Sequence, residues 1–231
     1  MSKILVLCSG GLDSTVLLHK AVSEASTENV IALSVYYGQK HAIERDSALW
    51  QCSHLGVQLI EVDLSPVFKY NLSASALLQG SKLNIVHKSY AEQLHDLGGS
   101  GTVTAYVPYR NGLFLSYAAA VALQLGCDTI YYGAHADDAA GHAYPDCTEE
   151  FIMAQAEAIK QGTGYKVSME APWWKKNKAS IVAYGLNLGM THEEFEHTWS
   201  CYEGGDTPCG TCGTCIDRKA AFEANGIMDI Q

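Results

Sequence analysis

Short apolar runs rich in β-branched residues occur at positions 3–7, 30–36, 57–62 and 129–132, and stretches with helical spacing separate them. Runs of this length without polar alternation predict strands covered on both faces, because a strand with one wet face would alternate. Strands alternating with helices predict a Rossmann-like α/β fold, a parallel sheet with helices on both faces. The clearest helix spans 111–125, where Phe114, Tyr117, Val121 and Leu125 recur on one face and Gly126 supplies the stop. Further helices are expected at 15–22, 179–188 and 216–224. Residues 64–104 keep no steady period and contain Gly98, Gly99 and Gly101, so they read as a loop-rich excursion over the active edge of the sheet. Cysteine and glycine concentrate abruptly after Trp199. The expected organisation is one α/β domain over residues 1–195 and a small helical C-terminal lobe over 196–231.

Between the first strand and the first helix lie Ser9, Gly10, Gly11, Leu12, Asp13 and Ser14. Two adjacent glycines let the backbone turn with its N–H groups exposed, the serines add hydroxyl donors, and the following helix points its positive end at the same spot. Such a run is an anion cradle, and a nucleotide's phosphates are its natural guest. It lacks the spacing and the lysine of an ordinary P-loop, which favours chemistry at the α-phosphate, with pyrophosphate leaving. The competing reading is a glycine turn in which Asp13 and Ser14 only cap the helix.

Fifteen Lys and Arg residues against twenty-five Asp and Glu give a formal charge of −10. That balance argues against broad attraction to nucleic-acid backbones or anionic membranes and favours a small-molecule substrate. The N-terminal apolar stretch is too short for a signal-peptide core, and no segment approaches a membrane span. A cytoplasmic, reducing location is therefore expected, and the eight cysteines are read as thiols, metal ligands or nucleophiles before disulfides. Cys201, Cys209, Cys212 and Cys215 have the spacing of a closed tetrahedral zinc site, with an iron–sulfur cluster and a redox dithiol as alternatives. Gly210 and Gly213 are expected to turn the chain so that backbone N–H groups meet the sulfurs. Cys8, Cys52 and Cys127 read as small buried hydrophobes.

The run from Ser9 to Ser14 resembles the phosphate loop of the ATP pyrophosphatase superfamily, whose members adenylate carboxylate, carbonyl or amide oxygens. Four further stretches, 36–41, 107–111, 133–147 and 199–218, resemble its 7-cyano-7-deazaguanine synthase family, and together they span nearly the whole chain. The resemblance implies the cofactors ATP, Mg2+ and Zn2+, a homodimer, and neither nucleic acid nor membrane as partner. It also implies an ATP-dependent ligase of queuosine biosynthesis that converts 7-carboxy-7-deazaguanine and ammonia into the nitrile through an adenylated acid and an adenylated amide. On the matching positions, nucleotide contacts fall to Cys8, Ser9, Gly10, Gly11, Leu12, Asp13, Ser14, Thr15, Val16, Leu17 and Leu18. Catalytic roles fall to Asp13, Lys178 and Arg110, and substrate contacts to Gln39, Lys40, His41, Arg110, Asn111, Asp138 and Asp146.

The same residues can be read from their chemistry. Arg110, beside a helix start, is shaped to clamp a carboxylate or phosphate in a bidentate way, or to form a surface ion pair. Asn111 reads as a helix N-cap as readily as a ligand contact. Asp137, Asp138 and Asp146 offer acceptors for the N–H edge of a guanine-like ring, for magnesium-bound water, or for turns. Lys178 closes a basic run that either reaches the nucleotide phosphates or is a solvated face. Cys147 remains open as a covalent nucleophile. The chain departs from the family pattern by two extra residues, His142 and Ala143, and by Thr148 where an arginine is common. Two other functions stay open at this point: adenylation of tRNA, and a non-catalytic zinc-ribbon adaptor that uses nucleotide as a switch.

Overall fold

The computed structural model describes residues 2–229. Strands β1 (Ile4–Leu7), β2 (Val30–Tyr36), β3 (Gln58–Asp63), β4 (Thr129–Tyr131) and β5 (Ser168–Glu170) form a sheet in the order β3-β2-β1-β4-β5, with every pairing parallel. Helices α1 (Leu12–Ala25) and α2 (Glu44–Leu55) make the first two crossovers, and α3 (Tyr90–Asp96) lies inside the excursion. Helix α4 (Arg110–Leu125) leads into β4, and α5 (Ala136–Ala139) and α6 (Glu149–Gly162) lead into β5. The chain ends through α7 (Lys178–Asn187), α8 (His192–Glu196) and α9 (Gly213–Glu223).

The sheet is covered on both faces, and the alternation of its strands shows how. Leu5, Ile31, Leu33 and Ile130 face the layer of α4 and α6, where Leu115, Ala118, Ala122 and Ile152 are buried. Ile4, Val6, Val30 and Ala32 face the opposite layer, with Val16 and Leu17 of α1, Ile181 and Val182 of α7, and Phe222 of α9. Because both faces of β1, β2 and β4 are dry, these strands need no polar alternation, whereas β3 at the sheet edge leaves Gln58, Glu61 and Asp63 exposed. Strand β5 escapes that reading, since Met169 is its one apolar residue and three residues carry no period.

The chain moves outward from β1 to β2 and β3, then crosses back so that β4 pairs with the other side of β1. The strand order thus reverses between β1 and β4, and the crevice beyond their carboxyl ends is the place such sheets bind ligands. The excursion over this edge is better anchored than its sequence suggests. Ala76, Leu77 and Leu78 are fully buried, and the backbone there is tied down by Lys40 N–H to Leu77 O at 2.8 Å and Ala76 N–H to Thr104 O at 2.8 Å.

Two expectations need correction. Helix α1 starts at Leu12, not at Thr15, because Gly11 already serves as its N-cap. Asn111 is not the N-cap of α4: Tyr109 holds that position with φ of 56°, and the Asn111 N–H donates to Asp146 Oδ2 at 2.9 Å. A buried carboxylate here satisfies a helix-end donor that a capping side chain would otherwise take.

Candidate active site

The phosphate loop follows β1 directly, with Cys8 N–H bonded to Leu33 O at 2.9 Å. Gly10 adopts φ of 94°, and a Cβ there would fall 2.1 Å from Glu44 O and 2.5 Å from Ala48 N. Only glycine lets α2 pack this closely against the loop. The N–H groups of Ser9 and Gly10 reach Ser14 Oγ at 3.2 and 3.3 Å, and the Gly11 N–H reaches Ser9 Oγ at 3.2 Å. No side chain caps α1, so its first-turn N–H groups face the crevice without an intrahelical partner.

A cleft of about 210 Å³ opens above this loop. Of the expected nucleotide contacts, Cys8, Ser9, Gly11, Leu12, Asp13 and Ser14 line it. Gly10 is outside the lining, and Thr15, Val16, Leu17 and Leu18 are wholly buried within α1's packing.

Asp13 is the electrostatic centre. Its Oδ2 lies 3.4 Å from Lys178 Nζ and 3.5 Å from His135 Nε2, while its Oδ1 is buried without a hydrogen-bond partner. Burial alone would push this carboxyl up, but the charges of Lys178 and His135 override it and hold Asp13 well below the usual carboxylate range. His135 shows the converse. Burial pushes its imidazole down, yet Asp138 at 3.3 Å and Asp13 raise it to about 9. Lys178 is likewise buried and is raised by Asp13 and Asp138 against the effect of burial. Asp137 acts structurally, since its Oδ2 accepts the Lys178 backbone N–H at 2.8 Å and so fixes the start of α7.

The other end of the cleft is aromatic, with Tyr37, Phe114, Tyr132, Tyr144 and Tyr202 in its lining. Arg110 lies against it, its Nη1 donating to Tyr37 Oη at 2.8 Å and its buried Nε unpartnered. Burial raises the Tyr37 phenol to about 12, against the opposing charge of Arg110. His41 also lines the cleft, 3.4 Å from Glu44 and tilted against Tyr202. Asn111 and Asp138 line it as well.

Three expected substrate contacts lie outside the lining. Gln39 Oε1 accepts the Tyr37 N–H at 2.9 Å, and Lys40 Nζ donates to Leu83 O at 3.2 Å, so both shape the wall. Asp146 is buried behind Asn111, and burial raises its carboxyl against the pull of Arg110. Cys147 does line the cleft, but burial pushes its thiol far up, with Asp138 and Asp146 adding to the effect. A thiol held protonated in this way is a poor nucleophile.

His135 and the aromatic wall were missed as site residues. The available signal was position: Gly133, Ala134 and His135 follow β4 directly, at the point where the strand order reverses. The two departures from the family pattern also have places. Gly141 O and Ala143 O accept the N–H groups of Gly101 and Val103 at 2.8 and 3.3 Å, so the inserted Ala143 and the neighbouring Gly141 fasten the excursion. Thr148 is the N-cap of α6, its Oγ1 accepting the Phe151 N–H at 3.3 Å.

The sulfurs of Cys201, Cys209, Cys212 and Cys215 lie within 4.8 Å of one another, the only such metal-ligating group among the described residues. The N–H groups of Cys209, Thr211 and Cys212 point at these sulfurs at 3.3 to 3.5 Å, and Thr214 Oγ1 stands 3.4 Å from Cys212 Sγ. Gly213 is not one of these donors. A Cβ there would meet Gln93 Nε2 and Lys88 O at 3.0 Å, so this glycine lets α9 abut the excursion. Four thiols and no other ligand suit a closed metal site, which this group is able to form.

The comparisons with known proteins agree with this geometry. The family model described as "Queuosine biosynthesis protein QueC" matches residues 3–226. The 7-cyano-7-deazaguanine synthase of Caldicellulosiruptor bescii is 38% identical over 227 residues, covering 98% of this chain and 95% of that protein. The 7-cyano-7-deazaguanine synthase of Psychromonas ingrahamii is 34% identical over 227 residues, covering 98% and 96%. Among solved structures, the NMN synthetase from Francisella tularensis aligns with a TM-score of 0.51 at 14% identity, over 99% of this chain and 79% of that one. The U34-tRNA thiolase NcsA from Methanococcus maripaludis, with its [4Fe-4S] cluster, aligns with a TM-score of 0.51 at 16% identity, over 97% and 68%. At those identities the two structures speak for the fold alone. A family match over almost every residue, with relatives above 30% identity along nearly their whole length, places this chain in the queuosine biosynthesis protein QueC family.

Proposed function

We propose that this chain catalyses the ATP-dependent conversion of 7-carboxy-7-deazaguanine and ammonia into 7-cyano-7-deazaguanine, as the names of its relatives suggest. The observation that carries the reading is the two-ended cleft. A phosphate loop with Asp13, Lys178 and His135 stands at one end and an aromatic wall with Arg110 at the other.

The first half-reaction joins the substrate carboxylate to the α-phosphate of ATP and releases pyrophosphate. Ammonia then displaces AMP, and one proton is lost as the amide forms. In the second half, the amide oxygen attacks another ATP, pyrophosphate leaves, and loss of AMP with the two N–H protons gives the nitrile. The long contacts from Ser9 and Gly10 N–H to Ser14 Oγ are ones that a phosphate oxygen can replace, and Lys178 is placed beside them to meet charge developing on the phosphate. Arg110 retains donors for the substrate carboxylate, while Tyr37 and Gln39 hold the guanidinium and its wall in place.

The buried, unpartnered Oδ1 of Asp13 and the nearby Asp138 carboxylate fit a magnesium ion that accompanies the phosphates. Such an ion screens phosphate charge. The four-thiol group fits zinc in a structural role, since no ligand position remains for substrate. Its lobe supplies Trp199, Ser200, Tyr202 and Thr214 to the cleft, which links metal binding to the shape of the site.

The test is incubation of metal-replete protein with 7-carboxy-7-deazaguanine, ammonium and magnesium-ATP, with products followed by mass. The nitrile and two AMP per nitrile are expected. Absence of both nitrile and AMP sinks the reading.

A further inference from the structure

Three tyrosine hydroxyls meet at one point. Tyr90 comes from α3 in the excursion, Tyr144 follows the inserted residues, and Tyr202 follows the thiol Cys201. Tyr90 Oη lies 2.8 Å from Tyr144 Oη and 2.9 Å from Tyr202 Oη, whereas Tyr144 and Tyr202 are 3.4 Å apart. Tyr144 and Tyr202 line the cleft, and Tyr90 stands behind them. A phenol titrates near about pH 10, so every hydroxyl keeps its proton at neutral pH.

A hydroxyl has one proton to give. Without a ligand the most protons are bonded when Tyr90 donates to one of its two close neighbours and accepts from the other. The neighbour that gives its proton to Tyr90 can show only lone pairs to the cleft. The neighbour that receives from Tyr90 keeps its own proton, and the 3.4 Å contact to the third hydroxyl is too long to hold that proton firmly. In that arrangement the pair facing the cleft is one donor beside one acceptor. Rotation of hydroxyl protons exchanges the two roles without moving a heavy atom.

We propose that Tyr90, Tyr144 and Tyr202 form an array that recognises the carboxamide intermediate, with Tyr90 as the positioning residue that sets the polarity of the other two. This rests on the proposed nitrile-forming reaction. A primary amide presents an acceptor oxygen and donor N–H groups side by side, which matches one donor and one acceptor. A carboxylate and a nitrile present acceptors only, so the hydroxyl that donates to Tyr90 must turn away to meet either of them, which leaves the Tyr90 acceptor unpaired. An unmatched polar group in a buried site is costly, and such a site discriminates against the ligand that leaves it so. The array thus retains the amide between the two adenylations and holds the next group to be activated.

The experiment uses the full chain carrying Tyr90→Phe, which keeps both cleft-lining hydroxyls, beside Tyr144→Phe, which keeps Tyr90 and Tyr202. Metal content and the circular dichroism spectrum check folding. Affinities for the acid and for the amide are read by calorimetry without ATP, and turnover is read from each starting compound. Tyr90→Phe is expected to weaken amide binding about tenfold and to leave acid binding and the KM for ATP within about twofold. Starting from the acid, the amide should accumulate in solution, and AMP released per acid consumed should drop from two towards one. Equal losses for acid and amide, or unchanged amide affinity in both variants, overturn the proposal. A wild-type protein that makes no nitrile but prefers the amide in calorimetry overturns the proposed reaction and leaves the array standing.

Discussion

Lys178 Nζ stands 3.4 Å from Asp13 Oδ2, which sets the first turn of α7 against the first turn of α1 across the floor of the cleft. Trp173, almost fully buried, reinforces the junction by donating from Nε1 to Asp13 O at 3.2 Å. The lysine is fixed beside the phosphate loop before any nucleotide arrives, so little reorganisation remains for the reaction itself.

Lys178→Met and Asp13→Ala should each lower AMP formation at least hundredfold, the scale seen when a preorganised charge-stabilising group is removed. The double variant should lose little more than either single one, because neighbours acting as a unit are not additive. Single-turnover release of pyrophosphate checks this. A Lys178→Met protein with wild-type pyrophosphate release would remove the lysine from the chemistry.

The His135 imidazole, raised from its ordinary value to about 9 by Asp138 and Asp13 against burial, links stability to pH. A raised histidine contributes stability that is fully present below its unfolded value of about 6.5 and is lost as pH climbs through its folded value. Urea unfolding of nucleotide-free protein should therefore show stability falling between about pH 6.5 and 9.5, by on the order of 3 kcal/mol. His135→Gln should flatten this slope. Asp13 acts in a separate window: its depressed carboxyl contributes stability above about pH 4, and this is lost on further acidification. A slope that persists in His135→Gln would assign it to other groups.

The parts that were legible in the sequence are those whose chemistry is local. Three strands showed as apolar runs because both sheet faces are dry there, β3 showed through its β-branched residues, and the phosphate loop showed because Gly10 has a steric requirement that no other residue meets. The four cysteines showed through spacing, since thiols that share a metal must be near in the chain or in the fold. What stayed hidden depends on contacts far along the chain. Asp138 and Asp146 look alike in sequence, yet one lines the cleft and the other is buried against Asn111. His135 gains its importance from Asp13, more than a hundred residues earlier, and no local pattern announces that pairing.

Metal removal should loosen the cleft and not the C-terminal lobe alone. Trp199 N–H donates to Gly10 O at 2.9 Å, and Thr214 Oγ1 donates to Ser200 O, so the cysteine lobe grips the phosphate loop. About one zinc per chain is expected by elemental analysis, because four thiolates complete a tetrahedral site. Cys212→Ser, or prolonged chelation, should lower the melting temperature and reduce nucleotide affinity together. An iron–sulfur absorption band in place of zinc, or full nucleotide affinity after metal loss, would contradict this.

The inserted residues should hold the excursion closed over the cleft. Gly141 and His142 are consecutive left-handed residues, with φ of 55° and 60°, and the turn they make places Gly141 O and Ala143 O against the Gly101 and Val103 N–H groups. Ala143 is fully buried next to Tyr144, which lines the cleft, so the turn adjoins the cleft wall. Removing His142 and Ala143 eliminates one of those acceptors and shifts the other, and the amides of 101–103 should then exchange with solvent at least tenfold faster. The KM for the deazapurine should rise while the KM for ATP stays near its wild-type value, because the phosphate loop lies on β1 and α1, away from this turn. His142→Gly separates strain from fastening: it keeps both carbonyls and relieves a left-handed residue bearing a side chain, so it should leave exchange unchanged and raise stability by up to about 1 kcal/mol. Hydrogen exchange followed by mass spectrometry decides between these outcomes, and unchanged protection at 101–103 in the deletion would show that the excursion is held by Ala76, Leu77 and Leu78 alone.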